Sequence, residues 1–137
     1  MAESSEHMKY VDILFSFVET LIPKEMGSLI LVDKPSCREK PPRTSGNFTP
    51  DIIYKNQEVL IIGEAKTEDD VERRHSLSQY ENYYLDAINF EGKSIVILSV
   101  PWFMKNTIKN VMRRIKQRYI RKIPVFVITE LGGAEEI

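Results

Sequence analysis

Val59-Leu60-Ile61-Ile62-Gly63-Glu64-Ala65-Lys66 is an apolar run that closes on two charges, and it constrains the fold more than any other stretch of the chain. The period of two of an extended strand puts Leu60, Ile62, Glu64 and Lys66 on one face and Val59, Ile61, Gly63 and Ala65 on the other. Both faces begin apolar, which predicts a central strand covered on both sides. The preceding run, Asp51-Ile52-Ile53-Tyr54, is rich in β-branched and aromatic residues, and Lys55-Asn56-Gln57-Glu58 between the two reads as a polar turn. The spacing predicts a β-hairpin, with Thr49-Pro50-Asp51 opening one strand and Glu64-Ala65-Lys66 ending the other.

A hairpin of this length brings the Asp51 carboxylate to the strand end where Glu64 and Lys66 emerge. An ionised carboxylate buried without a partner is strongly disfavoured, so these acids must be paired or must bind a cation. Two hard oxygen ligands converging from paired strands suit Mg²⁺, which keeps several waters and takes only one or two carboxylates. An ammonium beside such an ion can orient or help deprotonate an attacking water, or neutralise charge that develops in the transition state.

These residues resemble the PD-(D/E)XK nuclease superfamily, which includes restriction endonucleases, RecB-like exonuclease domains and archaeal junction resolvases. Pro50-Asp51 and Glu64-Ala65-Lys66 match its motif residue for residue, whereas a second acid-x-Lys triplet, Glu91-Gly92-Lys93, falls in a turn. The resemblance implies a nuclease that hydrolyses phosphodiester bonds of nucleic acid, DNA foremost and endonucleolytically, with Asp51, Glu64 and Lys66 as catalytic residues. It implies Mg²⁺, with Mn²⁺ as a substitute, held by Asp51, Glu64 and the backbone carbonyl of Ala65. Gln79 and Tyr83, four apart on one helix flank, resemble the further Gln-x-x-x-Tyr motif of RecB-like members, so Gln79 joins the catalytic set and Tyr83 the nucleic-acid contacts. Many members add an acid from the first helix. Glu6, Asp12 and Glu19 are the candidates here, and Glu6, nearest the helix start, is favoured as a further metal ligand. Arg73, Arg74 and His75 lie where they could touch substrate phosphate.

The rest of the chain fits an α/β domain with a mixed central sheet flanked by helices, the restriction-endonuclease-like αβββαβ core that the resemblance implies. Tyr10, Ile13, Leu14, Phe17, Val18, Leu21 and Ile22 recur at helical spacing, predicting a first helix over 5–22 stopped by Pro23. Met26–Val32 reads as a strand and Asp33–Phe48, with Lys34, Arg38, Lys40 and Arg43, as a long polar loop. Thr67, followed by Glu68, Asp69 and Asp70, reads as the N-cap of a second helix running to about Asn89. Ser94–Val100 reads as a strand parallel to Val59–Ala65, Trp102–Arg121 as a third helix and Val125–Thr129 as a last strand.

At 137 residues and 42% apolar the chain reads as one domain, 1–137, with a sizeable core of its own. A lone cysteine, Cys37, and no apolar run long enough to span a bilayer point to a reducing, cytoplasmic setting with no membrane partner. Net charge is −1, yet residues 105–122 hold eight basic side chains and no acid, leaving about −9 for the remainder. Lys105, Lys109, Arg113 and Lys116 share one flank of the third helix, which could track phosphates or simply be a solvated face. Two other functional readings stay open. One is a catalytically inactive module on the same fold that binds nucleic acid or protein. The other is a nuclease subunit that needs a second copy or a partner chain for target choice.

Overall fold

The computed structural model describes residues 4–137. Within it, α1 (Ser5–Glu19), β1 (Leu31–Val32), β2 (Ile52–Lys55), β3 (Val59–Ala65), α2 (Arg74–Asn89), β4 (Lys93–Ser99), α3 (Lys105–Gln117), β5 (Val125–Ile128) and β6 (Ala134–Glu136) follow in that order. The strands form one mixed sheet in chain order, β1 to β6. β1, β2 and β3 pair antiparallel, β3, β4 and β5 pair parallel, and β6 returns antiparallel to β5.

The hairpin forms as its sequence predicts. Ile52 pairs with Gly63 and Lys55 with Leu60. Its turn is closed by Asn56, whose side-chain oxygen accepts from the backbone N–H groups of Glu58 and Val59 at 2.7 and 2.8 Å. β3 lies inside the sheet and its side chains alternate between the two faces, Leu60 and Ile62 packing with Tyr83 of α2. Ile61 and Ala65 face α1, packing with Ile52, Tyr54, Ile97 and with Tyr10, Val11, Leu14 and Val18 of the helix. On the opposite face, Val96, Leu98, Val125 and Val127 meet Tyr80, Tyr84 and Ala87 of α2 and Ile108, Met112 and Ile115 of α3. Each such fully buried aliphatic side chain contributes about 1.5–3 kcal/mol relative to exposure.

Four local expectations are corrected by tertiary context. Met26–Val32 is not a strand: Lys24–Leu29 forms a 3₁₀ helix and only Leu31 and Val32 pair, because Gly27 and Ser28 favour a turn over an extended run. α1 ends at Glu19 rather than at residue 22, with Thr20 capping Phe17 and Val18 carbonyls. α2 begins at Arg74, not Thr67. Thr67 instead closes a turn, accepting the N–H of Asp70 on its carbonyl at 3.0 Å, and fully buried Val71 is drawn under Tyr80, whose hydroxyl donates to the Val71 carbonyl at 2.8 Å. α3 is shorter than the expected 102–121 run, and Trp102–Met104 is a separate 3₁₀ turn.

β6 is an element the sequence did not suggest. Ala134-Glu135-Glu136 has low strand propensity, but Gly132 and Gly133 take φ of +87° and +75° and turn the chain back so that it pairs with β5.

Gly63 sets how closely α1 approaches the sheet, since a Cβ there would stand 2.9 Å from Leu14 Cδ2. Gly63→Val should therefore destabilise the fold by about 1–3 kcal/mol, lowering the midpoint of thermal unfolding by about 3–10 °C. Gly27→Ala, where the nearest atom would be 3.9 Å away, should leave the midpoint near that of the wild type.

Candidate functional site

The β2–β3 register fixes the site. With Ile52 opposite Gly63, the next residues outward, Asp51 and Glu64, face each other across the pair. The backbone N–H of Asp51 donates to Glu64 Oε1 at 3.3 Å, and the N–H of Ala65 donates to Asp51 Oδ2 at 2.8 Å. Alternation puts Glu64 on the face covered by α2, where the Tyr83 hydroxyl donates to Oε1 at 3.1 Å. Lys66 continues past the end of β3, tied to β4 by its N–H to the Ser99 carbonyl at 3.0 Å. Its ammonium lies 3.3 Å from Glu64 Oε2 and donates to Gln79 Oε1. Gln79 Nε2 in turn donates to the Tyr83 hydroxyl at 3.4 Å, closing a ring of Glu64, Lys66, Gln79 and Tyr83.

All of this is buried beside open space. Asp51 and Glu64 are 4% exposed and Lys66 8%, and they line a cleft of about 550 Å³ with Arg73, His75 and Ser76 at the start of α2. A larger hollow of about 720 Å³, lined by Leu29, Ile53 and Phe90, receives none of these charged groups. Burial pushes the Glu64 carboxyl up to about 8, helped by the charge of Asp51 and opposed by Lys66 and by the Tyr83 hydrogen bond. Burial, and then the Glu64 charge, raise the Tyr83 phenol well above its ordinary range, so it stays a donor.

The expected residues do not all converge. Asp51, Glu64, Lys66, Gln79 and the Ala65 carbonyl do. Glu6 is exposed and does not line the cleft. The residue after it, His7, does: its Nε2 is 3.2 Å from Asp51 Oδ2 and 3.2 Å from the Ala65 carbonyl oxygen. Sequence reasoning passed over His7 in favour of an acid, although its place in the first turn of α1 marked it as clearly as Glu6. Tyr83 is fully buried, so it supports Glu64 and is not a surface that meets nucleic acid. Arg73 lines the cleft, whereas Arg74 opens onto a separate groove with Arg114 and Arg118.

The basic flank of α3 is engaged by the C-terminal strand. Lys105 and Lys109 both pair with Glu135, the former at 3.1 Å, and Lys116 Nζ donates to the Ile137 carbonyl at 2.6 Å. Arg113 donates to Asn110 Oδ1 at 3.1 Å within α3 itself. None of the four lines the cleft.

Among the described residues no three His, Cys, Asp or Glu side chains form a ready-made metal cage. The oxygens available to a cation are Asp51 Oδ2, the Ala65 carbonyl and the Glu64 carboxylate, a hard donor set. Among the described residues no helix is long and apolar enough to cross a membrane. In comparisons with protein-family models, with curated proteins and with solved structures, nothing matches this chain.

The raised Glu64 pKa sets a pH dependence. Unfolded, this carboxyl ionises near 4.5; folded, near 8. Between those values the folded chain holds the extra proton, so its stability is full below about 4.5 and falls as pH rises toward 8. Thermal unfolding in EDTA from pH 5 to 9 should show the wild-type midpoint falling relative to that of Glu64→Gln. Parallel curves for the two proteins would refute the assignment.

Proposed function

We propose that this protein is a metal-dependent nuclease of the PD-(D/E)XK superfamily, hydrolysing phosphodiester bonds of nucleic acid, DNA foremost, by endonucleolytic attack of water. One observation carries the reading: two carboxylates and an ammonium, each less than a tenth exposed, meet at the end of a central strand beside an open cleft. Burying such charges is unfavourable and the apolar cores on either face of the sheet do not need them, so their retention points to chemistry. α1, β1, β2, β3, α2 and β4 also follow in the αβββαβ order of the superfamily's core.

The donor set of Asp51, Glu64 and the Ala65 carbonyl suits Mg²⁺, with Mn²⁺ in its place. A bound divalent ion supplies activation of water and neutralisation of charge on the scissile phosphate. The chain's own residues do the rest. Lys66, its ammonium held between Glu64 and Gln79, is set to orient the attacking water and to meet the developing charge. Gln79 is a positioning residue that fixes the direction of that ammonium. Arg73 faces the cleft from the start of α2, where an anionic phosphate is favoured. In this reading the enzyme works in the cytoplasm, and a second copy or a partner subunit supplies target choice.

Incubation with supercoiled plasmid, linear duplex, branched and single-stranded substrates, each with Mg²⁺, Mn²⁺ or EDTA, tests this directly. Cleavage is expected with either metal and none with EDTA. Asp51→Ala, Glu64→Ala and Lys66→Ala should each lower the rate by at least about a hundredfold, while Glu91→Ala, in the turn triplet, should cut normally. Undiminished cleavage by Glu64→Ala would overturn the reading. Binding without cleavage under every condition would favour an inactive nucleic-acid-binding module.

A further inference from the structure

Two consecutive aromatic side chains, Trp102 and Phe103, belong to none of the clusters that make up the core. Trp102 is 55% and Phe103 49% exposed, and their rings stand edge to face with centroids 5.7 Å apart. Leu131, 74% exposed, joins them in lining a hollow of about 410 Å³, to which Lys105, Asn106 and Thr129 add polar groups. Single exposed apolar side chains are ordinary, but three around one concavity mark a contact surface. Their backbone is fixed. The N–H of Trp102 donates to Glu130 Oε1 at 2.6 Å, Glu130 Oε2 accepts the Tyr10 hydroxyl at 2.7 Å, and the N–H of Met104 closes the 3₁₀ turn on the Pro101 carbonyl at 2.8 Å. β3, β4 and β5 are parallel, so the residues just past them, Lys66, Trp102 and Leu131 included, emerge at one end of the sheet. The Ser99 carbonyl that accepts the Lys66 N–H precedes Trp102 by three residues. Three residues span at most about 10 Å, which keeps the Trp102 backbone within about 15 Å of that of Lys66.

We propose that Trp102 and Phe103 are a stacking platform for unpaired bases, and that the substrate carries a single-stranded segment next to the bond that is cut. The inference rests on the nuclease reading and adds to it the form of nucleic acid taken. Bases inside a duplex are stacked on one another and present no free face, whereas an unpaired base offers its π-face to an aromatic ring. The hollow gives such a base apolar walls from Trp102, Phe103 and Leu131, and the exposed Asn106 amide can both donate to and accept from its edge. Stacking does not need a strongly basic surface. That suits this end of the fold, where Lys105 is paired with Glu135 at 3.1 Å and Glu130 already accepts two hydrogen bonds. A partner protein fits less well, because a stable interface needs about 800 Å² on each side, and three side chains around one hollow fall well short of that.

Trp102 is the only tryptophan of the chain, so its fluorescence reads the platform directly. In EDTA, where no cleavage is expected, titration of the full chain with a single-stranded DNA of about 12 nucleotides should give a saturable loss of tryptophan emission. The blunt duplex of the same sequence, and inorganic polyphosphate, which carries backbone-like charge without bases, should leave emission unchanged at the same concentrations. In anisotropy titrations of a labelled strand, Trp102→Ala should weaken single-strand binding by about tenfold or more, and Trp102→Phe, which keeps an aromatic face, by less than about threefold. Trp102→Ala keeps the backbone contact to Glu130 and should unfold at the wild-type midpoint. The wild-type titration does not depend on any variant. No quenching by the single strand, equal quenching by the duplex, or full binding by Trp102→Ala would each overturn the inference. So would an emission shift that grows with protein concentration, tracks dimer formation in ultracentrifugation and ignores the oligonucleotide, which assigns the patch to a second copy of the chain. Quenching without cleavage of any substrate in Mg²⁺ or Mn²⁺ keeps the platform as a single-strand-binding surface and discards the nuclease reading. Metal-dependent cleavage that Trp102→Ala performs as fast as wild type on every substrate, with no quenching, keeps the nuclease reading and discards the platform.

Discussion

The burial of the Glu64 carboxylate governs how the elements around it are arranged. A carboxylate at the end of an interior strand loses water it cannot recover, so every neighbour must offer a donor or a positive charge. The backbone N–H of Asp51, the Tyr83 hydroxyl and the Lys66 ammonium do so. Each comes from a different place: the antiparallel partner strand, the helix that crosses over to β4, and the chain just past β3. Gln79 joins two of them by bonding both Lys66 and Tyr83. Networks of this kind depend on completeness, because a half-satisfied buried group is worse than none. The position of α2 over β3 is therefore set by polar contacts as well as by its Tyr80 and Tyr84 packing.

On the other side of the sheet, close packing takes over. Gly63 leaves room for Leu14 to press against β3, and Tyr10, Val11 and Val18 bury the same stripe of α1. Because that helix lies tight on the strand, its first turn overhangs the strand's end and His7 reaches Asp51. The cleft thus forms at the carboxyl ends of the parallel strands, where open α/β sheets generally place their sites. Tyr10 continues the same line, donating to Glu130 at 2.7 Å, and Glu130 accepts the Trp102 N–H at 2.6 Å.

Charge is distributed by element. The eight basic residues of 105–122 look from sequence like a surface for polyanions, but part of that charge is met inside the fold. Glu135 on β6 takes Lys105 and Lys109, and Arg118 is paired with Glu81 of α2 at 2.6 Å. An edge strand with little propensity of its own is held in place by the two Glu135 pairs and by the backbone ladder to β5. Exposed pairs of this sort are individually weak, and their effect here is to position β6 more than to stabilise the domain.

What the sequence determined by itself is local. The alternating apolar run of β3, its β-branched partner and the polar turn specify a hairpin, and hairpin geometry alone puts Asp51 across from Glu64. The i, i+4 spacing of Gln79 and Tyr83 likewise fixes them to one flank of a helix. Tertiary structure decided the rest, because the deciding contacts join residues far apart in the chain. His7 and Asp51 are separated by 44 positions, and a single helical step of about 100° turns His7 rather than Glu6 toward the strand end. Burial of Val71 beneath Tyr80 overrode the capping signal at Thr67 and moved the start of α2 to Arg74. Lys109 meets Glu135 across 26 positions only because β6 folds back. Local pattern could not reveal these outcomes, since each depends on which face of one element meets another once the sheet is assembled.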